Sequence, residues 1–397
     1  MAGPLTGIRV LDLGRFIASP FCGMLLADLG ADVIRIEKPG GTEDRFMGLL
    51  TPAGSSYSFA NQNRNKRGIT LNFERSEKGK QILHELVRRS DVVIHNFSPA
   101  AARALGITYE DFKAVKHDII FARVSAFGYF GPYQDRIGFD QIAKAMSGAM
   151  AVSGFQETPT KEQPPHIDYT TAALTAVGVI AALYHRQRTG EGQAIDTSLL
   201  QTGITYAATY IGEWEIGKVL RQRTGNRSPF IGPSDLYRAK DGRWVMLAII
   251  TNSIWRRFAN YIGREDLVND PRFHNDFARW EHRDIIDPVV AEWVASLTAE
   301  EIIAAAEKIP IPAGICYEQT EIASHPQVQA GEMMVQVDMP DGLGPVPVTN
   351  TPIRMSATPT QIERSFPAVG EHNDEVYGKI LGFTPEYIEK LKGEGVF

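Results

Sequence analysis

Cysteine is nearly absent: Cys22 and Cys316 are the only two in 397 residues. They stand far apart without metal-ligand spacing, which argues against a disulfide scaffold or a zinc site and fits a reducing compartment. Cys22 falls in an apolar, helix-like run and reads as a packing residue. A basic surplus is missing too. Lys and Arg total 41 against 47 Asp and Glu, a formal charge of −6, whereas a nucleic-acid partner normally leaves a positive balance. The longest weakly polar run, Ala172 to Tyr184, is too short to span a bilayer. The opening MAGPLTGIRVLDLG has no basic segment, apolar stretch and cleavage site. The expectation is a cytoplasmic protein with neither membrane nor nucleic acid as partner.

Familiar chemical signatures are missing as well. No G-x-G-x-x-G follows the first strand-like segment, so a nicotinamide dinucleotide is not indicated. The stretch from Gly212 to Val219 comes near a phosphate-binding loop. It fails because Val219 lacks the hydroxyl that would hold magnesium, and because Glu213 and Glu215 would repel phosphates. There is no H-E-x-x-H, no Cys/His cluster and no G-x-S-x-G elbow. Neither a bound metal nor a prosthetic group is expected.

What is present is an alternation of strand-like and helix-like segments. Ile8 to Leu13 reads as a strand. Ser19-Pro20 then offers an N-cap and a first-turn proline. Met24, Leu25, Leu26 and Leu29 line one helix face, and Gly30 ends it. Asp32 to Glu37 is the next strand, which makes a βαβ unit with parallel strands. Ser76 opens another helix, Asp91 to His95 is a strand, Thr108 and Asp111 form a capping box, and Ile119 to Val124 is a further strand. In a doubly wound pattern of this kind, ligands lie beyond the carboxyl ends of strands. Here those ends are Gly14-Arg15, Lys38 to Gly41, Asn96-Phe97 and Ser125 to Phe127.

A long helix from Asp168 to about Arg188 leads through Thr189 to Gly192 into a strand and a second long helix ending near Gly217. Composition then shifts to Arg, Gly, Asn and Pro between Arg221 and Pro233, as in a linker. Tyr237 to Met246 reads as a hairpin turning at Asp241-Gly242. The expected fold is α/β, with a large Rossmann-like domain begun by residues 1–215, a smaller α+β domain at 225–325, and a return of 326–397 to the large domain.

Seven segments, in order, resemble the class III coenzyme A transferases, the formyl-CoA:oxalate and carnitine CoA-transferase group that also includes α-methylacyl-CoA racemase. They are GIRVLDLGRFIASPFCGMLLADLGADVIRIEKPG, NRNKRGITLNF, DVVIHNFSP, SAFGYFGPY, TGEGQAIDTSL, DPRFHNDFARWEHR and VGEHNDEV, spread across nearly the whole chain. The resemblance implies a large domain built from both chain ends and an interlocked homodimer. It also implies acyl-CoA and a small carboxylic acid as substrates. It places the nucleophile on Asp168, after Pro164-Pro165, although on local sequence alone Asp168 reads first as an ordinary helix cap. An aspartate, anionic at pH 7 by its model acidity, needs no base to attack a thioester. The resemblance assigns Lys38, Asn96, Phe97, Arg103 and Arg136 to coenzyme A, whose phosphates need cations. Backbone N–H groups at the start of the Asp168 helix are candidate oxyanion donors. Asp140 and Asp196 read as structural carboxylates, with Asp196 capping the following helix.

The departures concern the substrate acids. Ser98 and Ala100 replace an arginine and a glycine of the family block, and Arg15 and Ile17 stand where formyl-CoA enzymes carry His and Gln. An oxalate/formate pair is therefore disfavoured, and Arg15 could grip a dicarboxylic acid, with Tyr57 beside the pocket. A racemase is one alternative, but Phe139 occupies the place of the histidine that would precede Asp140 as a base. A non-catalytic acyl-CoA binding protein is the other, since fold alone does not fix function.

Overall fold

The computed structural model describes residues 3–51, 56–340, 342 and 344–397. The chain forms two compact units. One comprises Met1–Ala149, Glu162–Gly217 and Pro326–Phe397, and the other Met150–Lys161 and Lys218–His325.

The first unit is organised by six parallel strands: β1 (Arg9–Asp12), β2 (Asp32–Glu37), β3 (Arg67–Thr70), β4 (Val92–His95), β5 (Ile120–Ser125) and β6 (Ala194–Ser198). Their order is β3-β2-β1-β4-β5-β6. The register sets Val10 beside Val33 and Leu11 beside Val93. Strands β1, β2, β4 and β5 are almost wholly buried, as expected of strands covered on both faces, whereas β6 at the sheet edge is mostly half-buried with Asp196 exposed. On one face, α1 (Ala18–Asp28) packs Cys22, Met24 and Leu26 with Ala172, Ala176 and Val179 of the 24-residue helix that ends at Thr189. Helix α2 (Tyr57–Asn63) packs beside α1, and the other face is covered by the three helices that follow. Next come α3 (Glu77–Arg88), capped by Ser76 Oγ accepting from Gly79 N, and α4 (Pro99–Leu105). The capping box at Thr108 and Asp111 opens α5 (Tyr109–Val115).

The expected cap at Ser19 does not form. Helix α1 begins two residues earlier, after Ile17, with no side-chain cap, while fully buried Ser19 turns its hydroxyl toward Asp12. Gly30, at φ +96°, closes α1 as the pattern predicts; a Cβ there would lie 2.9 Å from Gly3 Cα.

Residues near the carboxyl terminus complete the core beneath α3. Val376, Tyr377, Ile388, Leu391 and Phe397 share one apolar cluster with Ile36, Leu83 and Leu86. Tyr377 Oη donates to Thr70 O at 2.6 Å, and Asn72 N donates to Val396 O at 2.8 Å. Three further helices matter below: α6 (Asp140–Met146), α7 (His166–Thr189) and α8 (Leu199–Gly217). By length and composition α7 can cross a membrane, being longer than the Ala172–Tyr184 run suggests. Ser198, not Asp196, serves the start of α8: its hydroxyl accepts from Gln201 N, whereas Asp196 lies in β6 and pairs with Arg123.

The second unit holds an antiparallel sheet of β7 (Ser234–Arg238), β8 (Trp244–Ala248) and β9 (Ala313–Ile315). The β7–β8 hairpin turns through Gly242 at φ +86°. Val245, Leu247, Phe258, Val290, Val294 and Ile302 form its core. Residues 150–161 belong to this unit, not with the segment 1–215 that the sequence grouped them in. Arg223 holds them by donating to Ala151 O, Phe155 O and Gln156 O, and Gly225 N donates to Gly154 O. Those bonds join residues about seventy apart, and no local pattern announces them.

Candidate active site

Helix α7 begins after Pro165, which has no side-chain acceptor for the orphan N–H groups of a first turn. A neighbour supplies it. The buried carboxylate of Asp140, at the start of α6, accepts through Oδ1 from Ile167 N at 3.0 Å and Asp168 N at 3.3 Å. Its Oδ2 pairs with Lys144 Nζ at 3.0 Å, one helical turn on. Lys144 Nζ also donates to Glu162 O at 3.1 Å and Pro164 O at 2.6 Å. Asp140 thus does the capping that local sequence allowed Asp168.

Relieved of that task, half-buried Asp168 faces a cavity of about 390 Å³. Burial, and then the Asp140 charge, push its carboxyl up to about 7, against the opposing pull of Lys144. The expectation of a fully ionised aspartate at neutral pH is therefore corrected: near pH 7 the group is divided between its two forms. The expected oxyanion donors are corrected too, because the N–H groups of Ile167 and Asp168 are already given to Asp140.

The cavity gathers four of the anticipated residues around Asp168: Arg15, Asn96, Phe97 and Arg136. Their states differ. The Arg15 guanidinium is ion-paired with Glu74 and Glu43 and lies 5.1 Å from the Phe97 ring centre, so it is not a free carboxylate grip. Asn96 spends both ends of its amide on the Arg15 backbone, accepting from N at 2.8 Å and donating to O at 2.7 Å. Phe97 is a wall. Its backbone N donates to His95 Nδ1, and its carbonyl accepts from Tyr129 Oη at 2.8 Å. Arg136 lies 4.4 Å from the Tyr133 ring centre and, among the described residues, forms no ion pair.

The other three anticipated residues lie outside this lining. Exposed Lys38 is ion-paired with Glu43. Arg103 forms a two-pronged pair with Asp135, at 2.8 and 3.0 Å, and borders a separate 190 Å³ cavity beside His95 and Tyr129. Tyr57 opens α2, partly exposed. A larger cavity, about 810 Å³, opens at the opposite ends of β1 and β2. There Arg9 and Arg67 both pair with Asp32, so their charges are already answered.

Sequence reasoning missed Asp140 and Lys144 as partners of Asp168. Their four-residue spacing on one helix was visible, but its aim at a distant helix start was not. It also missed Phe16, a cavity-lining residue at φ +64°.

Comparison with known proteins adds a family. The family model for CoA-transferase family III matches residues 5–373. The chain is 36% identical to the succinyl-CoA–D-citramalate CoA-transferase of Chloroflexus aurantiacus, over 99% of this chain and 98% of that protein. It is 34% identical to the succinate–glutarate CoA-transferase of Agrobacterium fabrum, over 95% and 96% respectively. The crystal structure of a CAIB/BAIF family protein from Brucella suis superimposes with a TM-score of 0.84 at 30% identity, covering 96% of this chain and all of that one.

Proposed function

The chain belongs to CoA-transferase family III and is a CoA-transferase, and from that premise we propose that Asp168 carries the acyl group and then coenzyme A itself. An Asp168 oxygen attacks the carbonyl carbon of an acyl-CoA, the C–S bond breaks, and a mixed anhydride forms as the thiolate leaves. The thiolate attacks the Asp168 carbonyl carbon, which forms an aspartyl thioester and releases the first acid as carboxylate. The incoming carboxylate attacks that thioester, giving a second anhydride and thiolate. The thiolate then takes the new acyl group and restores the Asp168 carboxylate. No net proton is consumed.

One observation carries this reading: among the described residues, the cavity bounded by strand ends and loops contains a single carboxylate, and its burial disfavours the anion. Burial and Asp140 make ionised Asp168 more basic than a surface aspartate, hence a stronger nucleophile. Both covalent states are uncharged at Asp168, so acylation relieves the same penalty. With Ile167 and Asp168 N–H committed, the backbone N–H groups at the start of α1 are candidate donors for a developing oxyanion. Ile17 and Ala18 line the cavity, and that helix has no side-chain cap.

Arg136 is the cation ready to meet a coenzyme A phosphate. In this reading Lys38 and Arg103 exchange Glu43 and Asp135 for phosphate oxygens, Phe97 walls the cofactor side, and Asn96 acts by holding the Arg15 loop. Succinate and glutarate in the names of similar enzymes support dicarboxylic acids as substrates, with Arg15 giving up Glu74 and Glu43 for the acid's second carboxylate and Tyr57 toward the acid. A second copy of the chain is the proposed partner. Leu174, Val177 and Tyr184 on α7, and Trp214 and Ile216 on α8, leave apolar surface exposed that an interlocked dimer would cover.

The test is mass spectrometry after incubation with succinyl-CoA and trapping with hydroxylamine. Modification confined to the peptide holding Asp168, and lost in Asp168→Ala, supports the reading. Full exchange by a folded Asp168→Ala enzyme overturns it.

A further inference from the structure

The loop between β1 and α1 is held to an unusual degree. Each backbone polar group from Gly14 N to Phe16 O meets a side chain. Gly14 N donates to Asp12 Oδ1 at 2.9 Å, and Gly14 O accepts from Arg35 Nη1. Asn96 takes both backbone groups of Arg15. Phe16 N donates to Asp44 Oδ2 at 3.0 Å. With the Gln62 amide oriented so that its oxygen accepts from Ser58 Oγ, its nitrogen donates to Phe16 O at 3.1 Å. Five side chains, scattered from Asp12 to Asn96, converge on three residues.

The convergence has a steric reason. Phe16 adopts φ +64°, a left-handed conformation in which an L-residue's Cβ crowds the backbone. Such a conformation persists where its surroundings over-determine it. Asp44 answers most directly, through the Phe16 N–H itself. It is buried, and so is Arg35, whose Nη2 donates to Asp44 Oδ2 at 2.8 Å and Thr42 Oγ1 at 3.0 Å. Asp44 Oδ1 has no hydrogen-bond partner among the described residues, so the bonding of this carboxylate runs through one oxygen to Arg35 and Phe16. The loop it holds is functional ground: Phe16, Ile17 and Ala18 line the cavity of Asp168, and the Phe16 ring meets the cavity residue Phe139 edge-on at 5.7 Å.

We propose that Asp44, neutralised by Arg35, is a positioning residue for CoA transfer: by accepting the Phe16 N–H it holds Phe16 left-handed and so fixes the Phe16–Ala18 wall of the Asp168 cavity. The consequence for rate is large, since a misplacement of about 1 Å in a reacting geometry costs on the order of a hundredfold. The inference rests on Asp168 as the reacting carboxylate, which the trapping experiment tests separately.

A double-mutant cycle on kcat distinguishes positioning from a purely structural ion pair. Glycine takes the left-handed conformation at no steric cost, so in a Phe16→Gly background the restraint by Asp44 loses most of its purpose. Asp44→Ala is expected to lower kcat roughly tenfold or more beside Phe16, and only about threefold or less beside Gly at position 16. Asp44→Asn, which keeps an acceptor for Phe16 N–H, is expected to retain more activity than Asp44→Ala. Because removing one partner of the buried Arg35–Asp44 pair endangers folding, the cycle is repeated with Arg35→Met and Asp44→Leu together, folding being checked by circular dichroism and thermal melting. Equal loss factors in the two backgrounds, or native kcat in the folded paired variant, would overturn the proposal.

Discussion

The carboxylate of Asp140 accepts the backbone N–H of Asp168 at 3.3 Å, so two acidic side chains are held at one helix start while one caps and the other lines the cavity. The first anchors the second and at the same time raises its proton affinity. Lys144 keeps this from becoming prohibitive by pairing with Asp140 Oδ2.

The activity should follow the ionisation of Asp168. kcat/KM is expected to rise with pH along a single acid limb centred at about 7, where burial and Asp140 place the group. Asp140→Asn keeps an acceptor for the two N–H groups, removes the like charge and leaves Lys144. Its limb should move down by about one unit or more. Steady-state rates across the pH range with a slow and a fast acceptor acid check this, and an unshifted limb in Asp140→Asn would count against it.

A buried carboxyl with raised proton affinity costs stability once it is ionised. The Asp168 carboxyl binds its proton more tightly folded than unfolded, so between about pH 4 and 7 the native state holds more protons and stability falls as pH rises. Asp168→Asn removes that contribution. Its melting temperature should exceed that of the native chain at pH 8 and converge with it near pH 4, as read by calorimetry.

Lys144 is a structural hub. Replacing it with Met strands the buried Asp140 carboxylate and frees the carbonyls of Glu162 and Pro164. The loss should be about 3–5 kcal/mol, measured by urea unfolding followed through circular dichroism. Lys144→Met combined with Asp140→Asn should recover part of it.

Arg103 must leave Asp135 to reach a phosphate. Asp135→Asn weakens that hold and should lower the KM for acyl-CoA, by about two- to fivefold at low ionic strength and less at high salt. Arg136→Ala, which breaks no ion pair among the described residues, should raise the same KM by about tenfold with little change in kcat. Unchanged KM in both would remove these arginines from the cofactor's path.

Local chemistry proved legible wherever it was complete within a few residues. The caps at Ser76 and at Thr108 with Asp111, the turn at Asp241-Gly242 and the end of α1 at Gly30 all stand where the sequence places them. Ser19 misled because its hydroxyl is drawn toward buried Asp12, and Asp196 because strand pairing sets it opposite Arg123. Arg15 could be read as lining the site, but not that Glu74 and Glu43 already hold its charge.

Periodicity, caps and turn residues, interactions that act over a few residues, were enough for the sequence to determine an alternating α/β chain with Asp168 at the head of a long helix. Only the tertiary structure decided what that aspartate is. Its proton affinity depends on desolvation and on Asp140, 28 positions away, and the loop that lines its cavity is gripped at Gly14 from β2, at Arg15 from the strand end at Asn96, and at Phe16 from Asp44 and from Gln62 of α2. Electrostatic fields and steric restraint act through space, and the distances that set their strength exist only once the chain has folded.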